Sequence, residues 1–194
     1  QDKINQRIIA EAQRGRRVVR LKSGDPGIFG RAAEEMEAAG HAGIPIELVP
    51  GVTAACAAGA AMGRSLTERG VSNTLVLATG TGCADDPLPD STRLTGPGTT
   101  TALYMSVGQS RRIVDQLLHQ GMPGDSRIDI CVEVSKSSQS LVTATLETLT
   151  ETIATHQITG CAVLLITWPQ TSQVTEQSQP WKGRAGTDSL RALA

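Results

Sequence analysis

Apolar residues recur at helical spacing from the start of the chain, at Ile4, Ile8, Ile9 and Ala12, and Gly15 follows as a stop. Val18, Val19 and Leu21 then mark a short strand over Arg17 to Lys22, and Ser23-Gly24-Asp25-Pro26-Gly27 reads as a tight loop. Arg31 to Ala39 reads as a helix with Met36 on its apolar face. Ile46 to Val49 reads as a strand closed by Pro50-Gly51, and Thr53 is placed as N-cap of a helix of very small side chains from Ala54 to Met62.

The pattern shifts near Arg69-Gly70. Strands are expected over Asn73 to Thr79, Thr100 to Met105, Ile128 to Val134, Leu141 to Leu146 and Cys161 to Thr167. Helices are expected over Ser110 to Gln120, carrying Ile113, Leu117 and Leu118 with Gly121 at the end, and over Glu147 to His156. Gly80 to Gly98 is rich in Gly, Pro, Asp and Thr and reads as a long loop; the tail from Pro169 is polar and poorly patterned. Strands alternating with helices define the α/β class. The expected organisation is 1–70, the remainder of an N-terminal α/β domain; 71–168, a C-terminal α/β domain; and 169–194, a polar tail.

Composition narrows this picture. Among 194 residues the aromatics are Phe29, Tyr104, Trp168 and Trp181, so aliphatic side chains and alanine must fill the core. A net charge of -1, with no basic run interleaved with aromatics, argues against a nucleic-acid surface. No apolar run reaches the ~20 residues of a membrane-spanning helix. Cys56, Cys83, Cys131 and Cys161 form no C-x-x-C pair, so metal ligation is not expected. Cys56, Cys131 and Cys161 sit in apolar stretches and read as small core residues, a usage that fits the reducing cytoplasm.

Two segments carry candidate chemistry. Val18-Val19-Arg20-Leu21-Lys22-Ser23-Gly24-Asp25-Pro26 ends a hydrophobic strand in a Gly-Asp loop before a helix. Ligands of open α/β sheets bind at the carboxyl ends of strands, where an acidic residue accepts bonds from ribose hydroxyls or an ammonium group. The alternative is an ordinary turn in which Asp25 bonds its own backbone. Val49-Pro50-Gly51-Val52-Thr53-Ala54-Ala55-Cys56-Ala57-Ala58 brings a helix N-terminus, with free N–H donors, to a segment whose small side chains allow close approach. Its alternative is close helix–sheet packing without a ligand. The phosphate-binding G-x-G-x-x-G and G-x-x-x-x-G-K-[ST] patterns are absent.

The two segments in order, joined by Phe29-Gly30-Arg31, Glu34-Glu35, Gly43-Ile44-Pro45, Leu66-Thr67 and Arg69, resemble the tetrapyrrole (corrin/porphyrin) methylases, in particular uroporphyrinogen III C-methyltransferases and the methylase module of sirohaem synthase. Thr79-Gly80, Leu103-Tyr104-Met105 and Val132-Glu133 fall at later motif positions, so the resemblance runs from about Gln1 to about Thr167. It implies two α/β domains with S-adenosylmethionine in the cleft between them, a homodimer, a tetrapyrrole substrate and no metal. Carried over by position, Ser23, Gly24, Asp25 and Ile28 match one cofactor-binding loop, Thr53 and Ala54 a second and Met105 a third contact; Ser135 stands where the family usually has a cofactor-contacting glycine. Other departures are Ser23 for glycine, Gly27 for an aromatic, Glu68 and Thr81 for histidine, and Ser106 for glycine. The chain opens at Gln1 on a segment that reads as mid-domain, so an N-terminal portion with the family's glycine-rich loop is expected to be missing, and no catalytic acid or base is assigned.

Arg31 and Arg69 are candidate ligands for substrate carboxylates, which bidentate Arg favours; Arg20 and Lys22 read rather as solvated charge. The implied reaction is methyl transfer to pyrrole carbons of uroporphyrinogen III, giving precorrin-2 on the route to sirohaem and cobalamin. The alternatives are a precorrin methyltransferase acting at another ring position, and a non-catalytic truncated remnant that binds cofactor or partner.

Overall fold

The computed structural model describes residues 1–82 and 90–170. Three helices come first: α1 (Asp2–Gln13), α2 (Ala32–His41) and α3 (Ala54–Ala61). There follow β1 (Thr74–Thr79), β2 (Thr99–Tyr104), a short 3₁₀ turn at Val107–Gln109, α4 (Ser110–His119), β3 (Arg127–Val132), β4 (Ser140–Thr145), α5 (Leu149–Thr155) and β5 (Ala162–Trp168). The strands form one mixed sheet in the order β1-β2-β5-β3-β4, with β1 parallel to β2 and the other neighbours antiparallel.

Alternation along the strands explains the layering, because successive side chains point to opposite faces. Leu103, Ile128, Ile130, Leu164 and Ile166 meet Ile113 and Leu117 of α4 and Leu149 and Ile153 of α5. The intervening residues, Ala102, Tyr104, Cys131, Val163 and Leu165, meet Ala55 and Ala58 of α3. Alanines let α3 lie close to the sheet, and Gly59 lets the chain fold back on the helix: a Cβ there would stand 3.0 Å from Leu66 and 3.1 Å from the Arg64 carbonyl oxygen.

Four expectations are corrected. Arg17 to Lys22 and Ile46 to Val49 form no strand; their backbone pairs with no ladder among the described residues. An apolar run specifies β structure only where another strand takes up its N–H and C=O groups. Val19, Leu21 and Val49 accordingly stand exposed. Met36 is exposed, and α2 turns Ala32, Glu35 and Ala39 inward instead. Of the cysteines, only Cys131 is buried among the described residues; Cys56 and Cys161 are exposed. The Cys131 thiol is pushed up to about 12 by burial and then by the nearby Asp129 charge. Residues 83–89, within the expected loop, and 171–194, within the expected tail, lie outside the described residues.

Candidate functional site

The parallel run of β1, β2 and β3 sets the edge on which the candidate residues collect. Thr79 pairs with Tyr104, and both Tyr104 and Cys131 stand opposite Val163 of β5, so the carboxyl ends of these three strands are level. Met105 follows the end of β2 with φ 51°, and Glu133 and Ser135 follow β3 with φ 46° and 70°. Left-handed backbone at non-glycine residues costs of order 1–3 kcal/mol each and clusters where ligands bind. Phe29 and Arg31, at φ 52° and 55°, add two more in the loop before α2.

Two loops are fastened together at this edge. Asp25 Oδ1 accepts the Gly27 N–H at 2.8 Å, the local turn that Asp favours, and Oδ2 accepts the Gly51 N–H at 3.0 Å. The loops touch so closely that a Cβ on Gly51 would fall 2.3 Å from the Gly24 carbonyl oxygen, and one on Gly24 would lie 3.7 Å from that of Val52. Glycine is therefore required at 51. Gly24 itself has φ 74°.

Tyr104 ties β2 to both loops. Its hydroxyl lies 2.7 Å from Thr53 Oγ1 and accepts the Ala55 N–H at 2.9 Å. Thr53 holds the N-cap position without capping through its own side chain; Tyr104 takes up the orphan N–H in its place. The Tyr104 ring packs against Phe29 with centroids 4.9 Å apart. Ile28 and Ala54 pack against the same cluster. Thr81 Oγ1, just past β1, contacts Met105 Sδ at 3.6 Å.

Ser23, Gly24, Asp25, Ile28, Thr53, Ala54 and Met105 thus belong to three adjoining segments around Tyr104. Ser135 lies on the same edge beyond β5, exposed, with its N–H bonded to Gln139. Arg31 at the start of α2 is held bidentately by Glu34, at 2.7 Å for each contact. That hydrogen bond holds the Glu34 carboxyl below its ordinary value. Arg69 sits in the exposed turn closed by the Glu68–Ser72 bridge, and no hydrogen bond or ion pair among the described residues joins it to the loops.

Lys22 is not solvated charge. It lies 3.0 Å from the buried Glu35 and also bonds the Gly30 carbonyl, while Arg20 reaches Glu35 at 3.2 Å. Burial works to raise the Glu35 carboxyl, yet bonds from Gln1 and Lys22 and the charges of Lys22 and Arg20 hold it below its ordinary value. Asp129 on β3 is fully buried and bonds Arg64, Arg127 and Thr143. These anchors and the Tyr104 hub escaped the sequence reading, because their partners are distant in the chain. The available signal was the placement of the chain's one Phe and one Tyr at two motif segments.

Surface depressions of about 290 and 320 Å³ lie beside Asp90 to Leu94 and beside His156 to Gly160, the second also lined by Val132 and Glu133 at the end of β3. Neither includes any candidate contact. The loop junction carries the close backbone approach of Gly24 and Gly51 and the hydrogen bonds of Tyr104, and it is the better site. Among the described residues no group of three His, Cys, Asp or Glu is arranged to hold a metal, and no helix is long and apolar enough to cross a membrane.

At one edge of the mixed sheet, level strand ends meet two closely fastened loops and a small-residue helix. The chain belongs to the tetrapyrrole (corrin/porphyrin) methylases, whose family model matches residues 1–150. It is 36% identical over 169 residues to a siroheme synthase of Pseudomonas fluorescens, covering 86% of this chain and 36% of that protein. It is 40% identical over 151 residues to a siroheme synthase of Escherichia coli, covering 78% of this chain. The chain spans about a third of the length of these relatives, 36% and 33%. A cobalt-precorrin-4 methyltransferase superposes with TM-score 0.78 at 26% identity, over 85% of this chain and 70% of that one. A uroporphyrin-III C-methyltransferase of Thermus thermophilus complexed with S-adenosylhomocysteine superposes with TM-score 0.73 at 29% identity, over 86% and 72%.

Proposed function

We propose that this chain carries the cofactor cradle of an S-adenosylmethionine-dependent methyltransferase acting on uroporphyrinogen III to give precorrin-2. The observation that carries the reading is the convergence of the Ser23–Ile28 loop, the Thr53–Ala54 helix start and the Tyr104–Met105 strand end around one buried phenol. The fit is physical. Gly24 and Gly51 remove side chains where backbone must approach, Asp25 and Thr53 supply oxygens, and the start of α3 supplies N–H groups. When bound, S-adenosylmethionine supplies an electrophilic methyl group on a sulfonium sulfur. The residues of this chain bind and orient. Ser23, Gly24, Asp25, Ile28, Thr53, Ala54 and Met105 line the cofactor, with Ser135 at the far side of the edge. Arg31, aligned by Glu34, and Arg69 offer charge to substrate carboxylates. The reading includes a two-domain division near residue 70, a homodimer and a cytoplasmic location.

The higher TM-score of the cobalt-precorrin-4 methyltransferase, 0.78 against 0.73, supports a second reading, methylation at another ring position. Incubating the protein with label on the methyl of S-adenosylmethionine and with uroporphyrinogen III separates the two. Two labels entering the ring system are expected. Transfer to a precorrin but not to uroporphyrinogen III would favour the second reading; transfer to neither would overturn both.

A further inference from the structure

The hydrogen bonds around Tyr104 determine more than position; they decide which hydroxyl donates in the Tyr104–Thr53 contact and so leave the Thr53 proton free. Tyr104 is 9% exposed, and its hydroxyl has two partners among the described residues, the Ala55 N–H and Thr53 Oγ1. A phenol has one proton to give. The Ala55 N–H is a donor, so it uses an acceptor site on the Tyr104 oxygen. Only one proton can lie in the 2.7 Å contact with Thr53. Were it the Thr53 proton, the Tyr104 proton would be left without an acceptor in a buried position, which folded proteins avoid because it costs desolvation energy. The satisfied arrangement runs one way: the Ala55 N–H donates to Tyr104, Tyr104 donates to Thr53, and the Thr53 proton remains. Thr53 is only half-buried, so this proton can face a ligand.

We propose that Tyr104 is a positioning residue that, by donating to Thr53, aligns the Thr53 hydroxyl and leaves its proton free, so that Thr53 donates to an oxygen acceptor of the bound cofactor, a carboxylate or ribose oxygen. The inference rests on the cofactor reading above and deepens it. The chain of bonds also polarises: each donor in a chain strengthens the next. Phe29 holds the ring from the side, so removing the hydroxyl leaves the aromatic packing in place.

The test is a double-mutant cycle read by calorimetric titration of the full chain with S-adenosylhomocysteine. Tyr104→Phe should weaken binding about tenfold, the equivalent of one hydrogen bond of ~1.4 kcal/mol. Thr53→Val should weaken it by at least as much, and Thr53→Ser, which keeps the donor, should restore it. In the Thr53→Val background, Tyr104→Phe should have no further effect, a coupling that a purely structural tyrosine would not show. Melting curves check that each variant is folded, and the Thr53 arm stands if Tyr104→Phe is not. Wild-type affinity in folded Tyr104→Phe, additive losses in the double variant, or failure of Thr53→Ser to bind overturns the proposal alone. Failure of the unsubstituted chain to bind overturns the cofactor reading and the proposal with it.

Discussion

Asp25 shows how one side chain serves both of the roles its sequence context allows. The local turn is present, through Gly27, and the second oxygen crosses to Gly51 on the other loop. A structural and a ligand role are compatible, because each carboxylate oxygen has a second lone pair. Asp25→Ala removes both backbone contacts. It should weaken S-adenosylhomocysteine binding by about 5- to 150-fold, from ~1–3 kcal/mol of lost hydrogen bonding, and calorimetry with a melting curve alongside reads it. Unchanged affinity would remove the loop junction from the cofactor site. Asp25, Gly51 and Thr53 were legible as candidates from strand-to-helix junctions alone. What made them one site was not: the Thr53–Tyr104 bond spans 51 residues of sequence, and no local pattern encodes such a pairing.

At the scale of elements, α3 is the part on which the site depends. Tyr104 holds its N-terminal end, and Arg64, just past its C-terminal end, reaches the buried Asp129 on β3. Asp129 keeps Arg127 and Thr143 if Arg64 is replaced, so the charge is not abandoned but loses its cross-element partner. Arg64→Met should destabilise the fold by about 1–3 kcal/mol, seen as a lower denaturant midpoint at unchanged slope. An unchanged midpoint would show that the strap adds nothing beyond the packing of Ala55 and Ala58. The β1 to β5 strands were readable as short runs rich in apolar and β-branched residues, α1 and α4 from apolar residues at helical spacing, and α3 from its small-residue run behind Thr53. Arg17 to Lys22 was not, since its apolar residues alternate like a strand yet find no ladder. The inward face of α2 was misread because a charged residue, Glu35, is buried there; Lys22 and Arg20 from another segment make that burial tolerable.

For the whole molecule, the sheet supplies a rigid edge and the loops before α2 and α3 supply the contacts. Fastening by Asp25, the Gly24–Gly51 approach and Tyr104 makes the three segments one unit rather than three independent loops. The family model covers this unit, and the structural relatives include one complexed with S-adenosylhomocysteine. The most direct measurement of the central claim is amide hydrogen exchange of the chain with and without S-adenosylhomocysteine. The account predicts slowed exchange in residues 23–28, 51–56 and 105–106 together, with 99–104 and 127–132 unaffected, since β2 and β3 are already buried in the sheet. Protection confined to the depressions beside Asp90 to Leu94 or His156 to Gly160, or no protection at saturating ligand, would contradict it.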